Sequence, residues 1–172
     1  LVITVEIQSL NGFVFYSDSF IEQATPASGE ILLGLRMNHL FLLMKPIIYL
    51  IRGVPGSGKT TFARKLLNAN IVQAIHCADD YMLNAQGLYE FNPAMLTHCH
   101  EQCFQATSRA LSQHKSVAVH NTFIKQWELK RYRELAACFD VSVVETVCQG
   151  QWPNTYGVPE EKVVNMAERF EW

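Results

Sequence analysis

Residues 46–61 read Pro-Ile-Ile-Tyr-Leu-Ile-Arg-Gly-Val-Pro-Gly-Ser-Gly-Lys-Thr-Thr, an apolar run that breaks into a glycine-rich loop and then into helix-forming sequence. Gly53, Gly58, Lys59 and Thr60 satisfy G-x-x-x-x-G-K-[ST], and Ile47 to Ile51 is the buried strand that this phosphate-binding loop needs before it. The glycines let several backbone N–H groups converge where side chains would otherwise keep phosphate oxygens away. A helix opening near Thr60 adds partial positive charge at the same point. Lys59 is expected to reach the β- and γ-phosphates and the Thr60 hydroxyl to ligate Mg²⁺, with Gly53, Pro55, Gly56, Ser57, Gly58 and Thr61 completing the nucleotide cradle. A dinucleotide fingerprint fits less well, because Gly56-Ser57-Gly58 would require a third glycine where Thr61 stands.

A chain of 172 residues with 49% hydrophobic content can bury one sizeable core. Its net charge of −2 announces no nucleic-acid or membrane surface, so any polyanion has to be met by a local patch. The five cysteines (Cys77, Cys99, Cys103, Cys138 and Cys148) are odd in number and form no C-x-x-C pair, which fits reduced thiols in a cytoplasmic protein.

Residues 1–43 differ from the rest. The apolar stretch Leu1 to Phe20 carries Glu6 and Asp18 and lacks a basic start, which argues against a secretory signal. Arg36, Asn38, His39, Lys45 and Pro46 interrupt the apolar stretch Ile31 to Ile51 and argue against a membrane span. Met44-Lys45-Pro46 stands where a nucleotide-binding domain would begin, so 44–172 is expected to be the folded domain. Residues 1–43 are expected to be an upstream extension, with non-native translation as one origin. The alternative is a true hairpin, with Leu1 to Ile7 and Gly12 to Tyr16 as its strands.

From residue 46 onward strands alternate with helices. A helix is expected over Thr61–Ala69, a strand over Ile71–Cys77, a helix from Pro93 to about Gln113, a strand over Ser116–His120 and a helix over Gln126–Phe139 with Trp127, Leu135 and Cys138 facing the core. A strand over Val141–Val147 and a last helix with Pro159 at its first position complete an α/β fold with a mainly parallel sheet covered on both faces. The second strand delivers Asp79 and Asp80 to the carboxyl end of the sheet, where such folds place ligands. A carboxylate there can take the proton of an attacking hydroxyl, while its neighbour caps the next helix or holds a metal-bound water; two solvated turn acids are the alternative. His98, Cys99, His100 and Cys103 raise the option of a metal site on the long helix, against a cysteine-rich face packed on the sheet. Lys125, Lys130, Arg131 and Arg133 form the most basic stretch, either a solvated helix face or a track for substrate phosphates.

Residues 47–172 resemble the P-loop kinase domains of the 5′-hydroxyl polynucleotide kinase type, and within it the Nedd-four-binding-protein-two group with its small bacterial and phage relatives. The resemblance runs through Gly53 to Thr61, Cys77-Ala78-Asp79-Asp80-Tyr81, Gly87-Leu88-Tyr89, Phe91-Asn92-Pro93, His100 with Cys103, Asn121-Thr122-Phe123, Trp127-Glu128-Leu129 with Tyr132, and Asn154 with Gly157-Val158-Pro159. It implies a P-loop NTPase α/β/α sandwich, ATP and Mg²⁺ held by Lys59 and Thr60, a lid around Asn154 closing over ATP, and Asp79 as general base toward a 5′-hydroxyl. Three positions depart from the pattern: Met82 replaces an arginine that helps bind the acceptor, His120-Asn121 replaces an acidic strand end, and Pro153-Asn154-Thr155-Tyr156 lacks a lid arginine. Arg64, Arg131 and Arg133 are the arginines that could substitute.

Motifs and resemblance together give an ATP-dependent phosphotransferase acting on a hydroxyl, first of all the 5′ end of RNA or DNA. A P-loop kinase for a small hydroxylated metabolite is the second reading, and a catalytically weakened ATP- or RNA-binding module the third. For the N-terminal segment, a chain starting at Met44 is expected to unfold at the same urea midpoint as the full chain; failure of the shorter chain to fold would make residues 1–43 part of the domain.

Overall fold

The computed structural model describes residues 6–10, 13–17, 45–154 and 156–172. The chain divides into two compact units, Leu1–Phe41 and Leu42–Trp172. In the first, β1 (Glu6–Leu10) pairs antiparallel with β2 (Phe13–Ser17), with Leu10 opposite Phe13. The dipeptide between them is Asn11-Gly12, which two-residue hairpin connections favour. β1 runs three residues further toward this dipeptide than the expected Leu1 to Ile7, and β2 is shifted by one residue from the expected Gly12 to Tyr16; the expected strand residues 1–5 and Gly12 fall outside the described ones.

The second unit is built on β3 (Ile47–Arg52), which pairs in parallel with β5 (Val117–Val119) on one side and β6 (Ser142–Val147) on the other. β4 (Ala74–His76) adds in parallel to β5, so the sheet order is β4-β5-β3-β6. Alternation along β3 sorts its side chains between two layers. Ile48 and Leu50 join Val117 and Val119 under α2 (Leu96–Ser112) and α3 (Trp127–Cys138), whose Cys99, Cys103, Leu111, Leu129 and Tyr132 fill that cluster. Tyr49 and Ile51 point the other way with Ala118 and pack beneath α1 (Lys59–Asn68) through Ala63 and Leu66. The result is the three-layer α/β/α arrangement with a parallel sheet.

Helix boundaries agree with the sequence pattern to within one to three residues, the largest shift being the start of α2 at Leu96 and not Pro93. Pro93–Met95 is a short 3₁₀ turn ahead of α2, and the Asn92 side chain accepts from the Ala94 N–H at its start. Pro159 is the N-cap of α4 (Glu160–Glu168) rather than its first helical residue. The larger correction concerns α3. Its buried stripe is Leu129, Tyr132 and Ala136, while Trp127 is 73% exposed and Cys138 is exposed as well. Leu135 packs only at the margin of the core. The apolar residues of this helix lie nearly all round it, so local pattern left the phase open; Tyr132 decided it by stacking edge-on against Phe104 and Phe123 at 5.4 and 5.5 Å.

Leu50 sits at the middle of this construction with no exposure, flanked by strands on both sides. Leu50→Ala is expected to lower stability by about 2–5 kcal/mol, from lost burial plus the cavity left behind. Urea denaturation measures it, and a loss below about 1 kcal/mol would contradict the central placement of β3.

Candidate active site

β3 ends in Arg52, and the next six residues, Gly53 to Gly58, wrap the loop that leads into α1. Gly58 caps that helix at φ 92° and Gly56 turns at φ 80°, conformations that side chains rarely adopt. A second constraint is space. The segment leaving β6 lies against the loop, with Cys148 N–H donating to the Arg52 carbonyl, Gly150 N–H to Ser57 and Trp152 N–H to Gly56. A Cβ on Gly56 would come 2.3 Å from the Trp152 carbonyl oxygen, and one on Gly58 would come 2.8 Å from the indole ring. The Gly53 N–H donates to the Thr122 carbonyl at 3.0 Å, which ties the loop to the end of β5.

Within the loop the Lys59 ammonium donates to the Val54 carbonyl at 2.8 Å. Burial pushes its pKa down to about 8, against the attraction of Cys148, Asp79 and Cys77. Ser57 is buried, and its hydroxyl has no hydrogen-bond partner among the described residues. A desolvated ammonium held by a neutral carbonyl on the wall of a cavity is suited to an anion that supplies acceptors.

Facing the loop, the chain leaves β4 through the 3₁₀ turn Ala78–Tyr81. Asp80 folds back so that its Oδ2 accepts from the Cys77 N–H at 3.0 Å, a capping arrangement. Asp79 is left to point into the cavity. Burial raises its pKa above the usual carboxylate range; Lys59 pulls it back, Asp80 pushes it up further, and His100 lowers it slightly. At the neighbouring strand end His120 is buried and its pKa falls to about 4, first by desolvation, with Asp80 opposing and Lys59 adding to the fall. Asn121 accepts from the Ala78 N–H at 2.8 Å and so fastens β5 to the turn carrying Asp79.

These groups line a cavity of about 380 Å³. One wall is Pro55, Gly56, Gly58, Lys59, Thr60 and Thr61; the floor is Ala78, Asp79 and His120 to Thr122. Tyr89, Phe91, Leu96 and His100 close one side, and Trp152, Asn154, Tyr156, Lys162 and Met166 the other. Of the residues expected from sequence, Lys59, Thr60, Thr61, Pro55, Gly56, Gly58, Asp79 and Asn154 meet at this cavity, while Gly53 and Ser57 do not line it. Both ends of the Asn154 side-chain amide are engaged with Val158: its NH2 donates to the Val158 carbonyl and its oxygen accepts from the Val158 N–H, each at 2.8 Å. They shape the turn into α4.

Sequence reasoning passed over Lys162, Trp152, Tyr156 and the pocket role of His100. Lys162 stands two residues after the Glu160 that opens α4, and it brings a cation to the side of the cavity where no arginine was found. The three arginines weighed as substitutes do not line the cavity. Arg133 binds Glu145 through two hydrogen bonds, Arg131 binds Glu101 and lies over the Phe104 ring, and Arg64 is exposed on α1. Met82 is buried against Cys99, so its position is occupied by the core. Cys99 and Cys103 are core residues too, Cys103 beneath Asn121 and the Tyr132 hydroxyl, which leaves the packed-face reading of α2 and not a metal there. Among the described residues no helix is long and apolar enough to cross a membrane.

Residues 48–155 match the model of the family described as AAA domain. NEDD4-binding protein 2 of Homo sapiens is 30% identical over 135 residues, which is 73% of this chain and 8% of that protein. A chain in the structure of the Pnkp1/Rnl/Hen1 complex superposes with a TM-score of 0.52 at 20% identity, over 70% of this chain and 38% of that one. A second structure, of the Pnkp1/Rnl/Hen1 RNA repair complex, superposes with a TM-score of 0.50 at 20% identity, over 72% and 37%. The chain thus spans a small part of its human relative and well under half of the repair-complex chains.

The Lys59 shift has a sign that can be tested. Its folded pKa lies below the value of the unfolded chain, so the penalty for burying the charge is complete below pH 8 and fades as pH rises toward 10.5. Lys59→Met in the ligand-free protein is therefore expected to be more stable than the parent at pH 7, by roughly 1–3 kcal/mol. Urea unfolding at pH 7 and pH 10 should show that advantage shrinking at the higher pH; an advantage equal at both would remove the buried charge as its cause.

Proposed function

We propose, since this chain belongs to the AAA domain family and carries the fold of the P-loop kinases, that it binds ATP and transfers the γ-phosphate to a hydroxyl, with the 5′-hydroxyl of a polynucleotide as the leading acceptor. The observation that carries this reading is the placement of a desolvated Lys59 and a desolvated Asp79 on one cavity. Lys59 and the loop amides would hold the β- and γ-phosphates, whose charge restores full protonation to the lysine. Mg²⁺ fits the hard oxygen donors here, with Thr60 as its protein ligand, and when bound it would neutralise charge on the phosphates. Asp79 would accept the proton of the acceptor hydroxyl as that oxygen bonds to the γ-phosphorus and the bond to the β–γ bridging oxygen breaks, releasing ADP. Its raised pKa brings the carboxylate nearer the working pH, where a general base is most effective. Lys162 would balance the charge that develops on the transferring phosphoryl group, the task an arginine performs elsewhere.

Support for a polynucleotide acceptor comes from Tyr89 and Phe91 on the wall beside His100, faces on which a base can stack. The similarity to a chain of an RNA repair complex is a further support. One observation favours the second reading, a small hydroxylated metabolite. The basic residues of the α3 region are neutralised by ion pairs: Lys125 with Glu171, Lys130 with Glu134, Arg131 with Glu101 and Arg133 with Glu145. A free phosphate track is thus not laid out on that face.

Transfer of labelled γ-phosphate to 5′-hydroxyl RNA and DNA oligonucleotides, with nucleosides and sugars in parallel, separates the two. Transfer to oligonucleotides is expected, lost by about 10²–10⁴ in Lys59→Ala and Asp79→Asn and reduced about a hundredfold in kcat in Lys162→Met. Transfer to small acceptors alone would move the assignment to a metabolite kinase. ATP binding through Lys59 with no transfer to anything would overturn the kinase reading in favour of a binding module.

A further inference from the structure

Beside the phosphate-binding wall lies a group of side chains that the phosphotransfer chemistry leaves unused. β4 and β5 pair in parallel as far as His76 opposite Val119, and Cys77 and His120 are the next residue along each strand. Residues that face each other across adjacent strands project to the same side of a sheet. The His120 N–H donates to the His76 carbonyl at 3.0 Å, which holds this register at the strand ends. The 3₁₀ turn then brings Asp80 back over Cys77. One donor atom from each of Cys77, Asp80 and His120 lies within 4.8 Å of the other two.

We propose that Cys77, Asp80 and His120 form a site for a thiophilic divalent cation, Zn²⁺ above all, with a coordination position left to water. A sulfur, an imidazole nitrogen and a carboxylate oxygen make a donor set that suits zinc far better than Mg²⁺, which takes oxygen ligands. Tetrahedral zinc, with sulfur at about 2.3 Å and nitrogen or oxygen at about 2.0 Å, sets its donors roughly 3.5 Å apart. The side chains therefore have to close in by about 1 Å.

The surroundings suit an ion. Cys77 and His120 are buried on strand ends that are fixed by main-chain bonds, whereas Asp80 is exposed and gives access from solvent. The Asp80 N–H points at the Cys77 sulfur and the Cys77 N–H at the Asp80 carboxylate, which orients two of the three ligands before any ion arrives. Zinc replaces the thiol proton of Cys77, which leaves to solvent. The site uses none of Lys59, Thr60 or Asp79, so it stands or falls separately from the phosphotransfer reading.

Cobalt(II) provides the test, because a thiolate bound to it gives an intense near-ultraviolet charge-transfer band. Titrating the chelator-treated full chain with Co²⁺ is expected to raise this band to saturation at one ion per chain, and Zn²⁺ should bleach it. The band should vanish in Cys77→Ala and survive in Cys138→Ser, whose thiol is exposed elsewhere, and in Lys59→Ala. Asp80→Asn, a change at an exposed side chain, is expected to weaken Co²⁺ binding by at least about tenfold. This variant decides the matter if Cys77→Ala does not fold. No band in the parent, a band kept in Cys77→Ala, or an unchanged Co²⁺ affinity in Asp80→Asn would each overturn the assignment.

Discussion

The Lys59 ammonium has lost most of its water, and its hydrogen bond in this state goes to the neutral carbonyl of Val54. That arrangement costs stability, as the fall of its pKa to about 8 records. It persists because the loop around it is held from three directions: by the Thr122 carbonyl at the end of β5, by Cys148, Gly150 and Trp152 on the strand leaving β6, and by the start of α1. Each attachment is a main-chain hydrogen bond, so the geometry is set by backbone and does not depend on mobile side chains. For the proposed function, a loop fixed this way would offer its amides and its lysine to a polyphosphate without having to reorganise first.

The central position of β3 makes those attachments available. Since β3 is bordered by β5 and β6, the loop at its end is bordered by the segments that leave those two strands. The same strand carries Arg52, a buried charge with 2% exposure, whose guanidinium donates twice to the Phe123 carbonyl and once to that of Glu171 and lies 4.7 Å from the Phe170 ring centroid. A buried arginine satisfied by carbonyls and an aromatic face is stable only while all its partners stay in place. It thereby holds the segment after α4 against the phosphate-loop strand. Since α4 brings Lys162 to the cavity, Arg52 and Lys162 belong to one mechanical unit: one fixes the end of the helix, the other projects from its start.

The electrostatics of the cavity divide two neighbouring acids into different roles. Asp80 is turned back onto the Cys77 amide, and Asp79 is left in the cavity with its pKa raised. Two adjacent aspartates could as well have been solvated turn residues, and it is the tightness of the 3₁₀ turn that sends them in opposite directions. Asn121 contributes by binding the turn's Ala78 amide, which gives the residue at this strand end a structural task in place of the negative charge an acid would bring. His120 beside it is neutral, because burial lowers its pKa to about 4.

Much of this could be read before any coordinates, and the reason is range. The phosphate loop, the strand before it, the helix after it and the arrival of Asp79 at a strand end are all encoded within a few residues by glycine freedom, apolar period and helix-start chemistry. The parallel sheet followed from the order of those segments. Pairings between distant segments were not legible: Arg133 with Glu145 and Arg131 with Glu101 removed the basic stretch from consideration as a free track, and Tyr132 chose the face that α3 buries. Lys162 looked like one more helix lysine until α4 was laid along the cavity. Cys77 and His120 looked unrelated until a parallel register set them side by side. The chain's local chemistry thus determined that a phosphate-binding α/β domain would form, whereas which charges stay unpaired and which donors meet was decided by packing, because those contacts exist only after strands and helices from different parts of the chain are brought together.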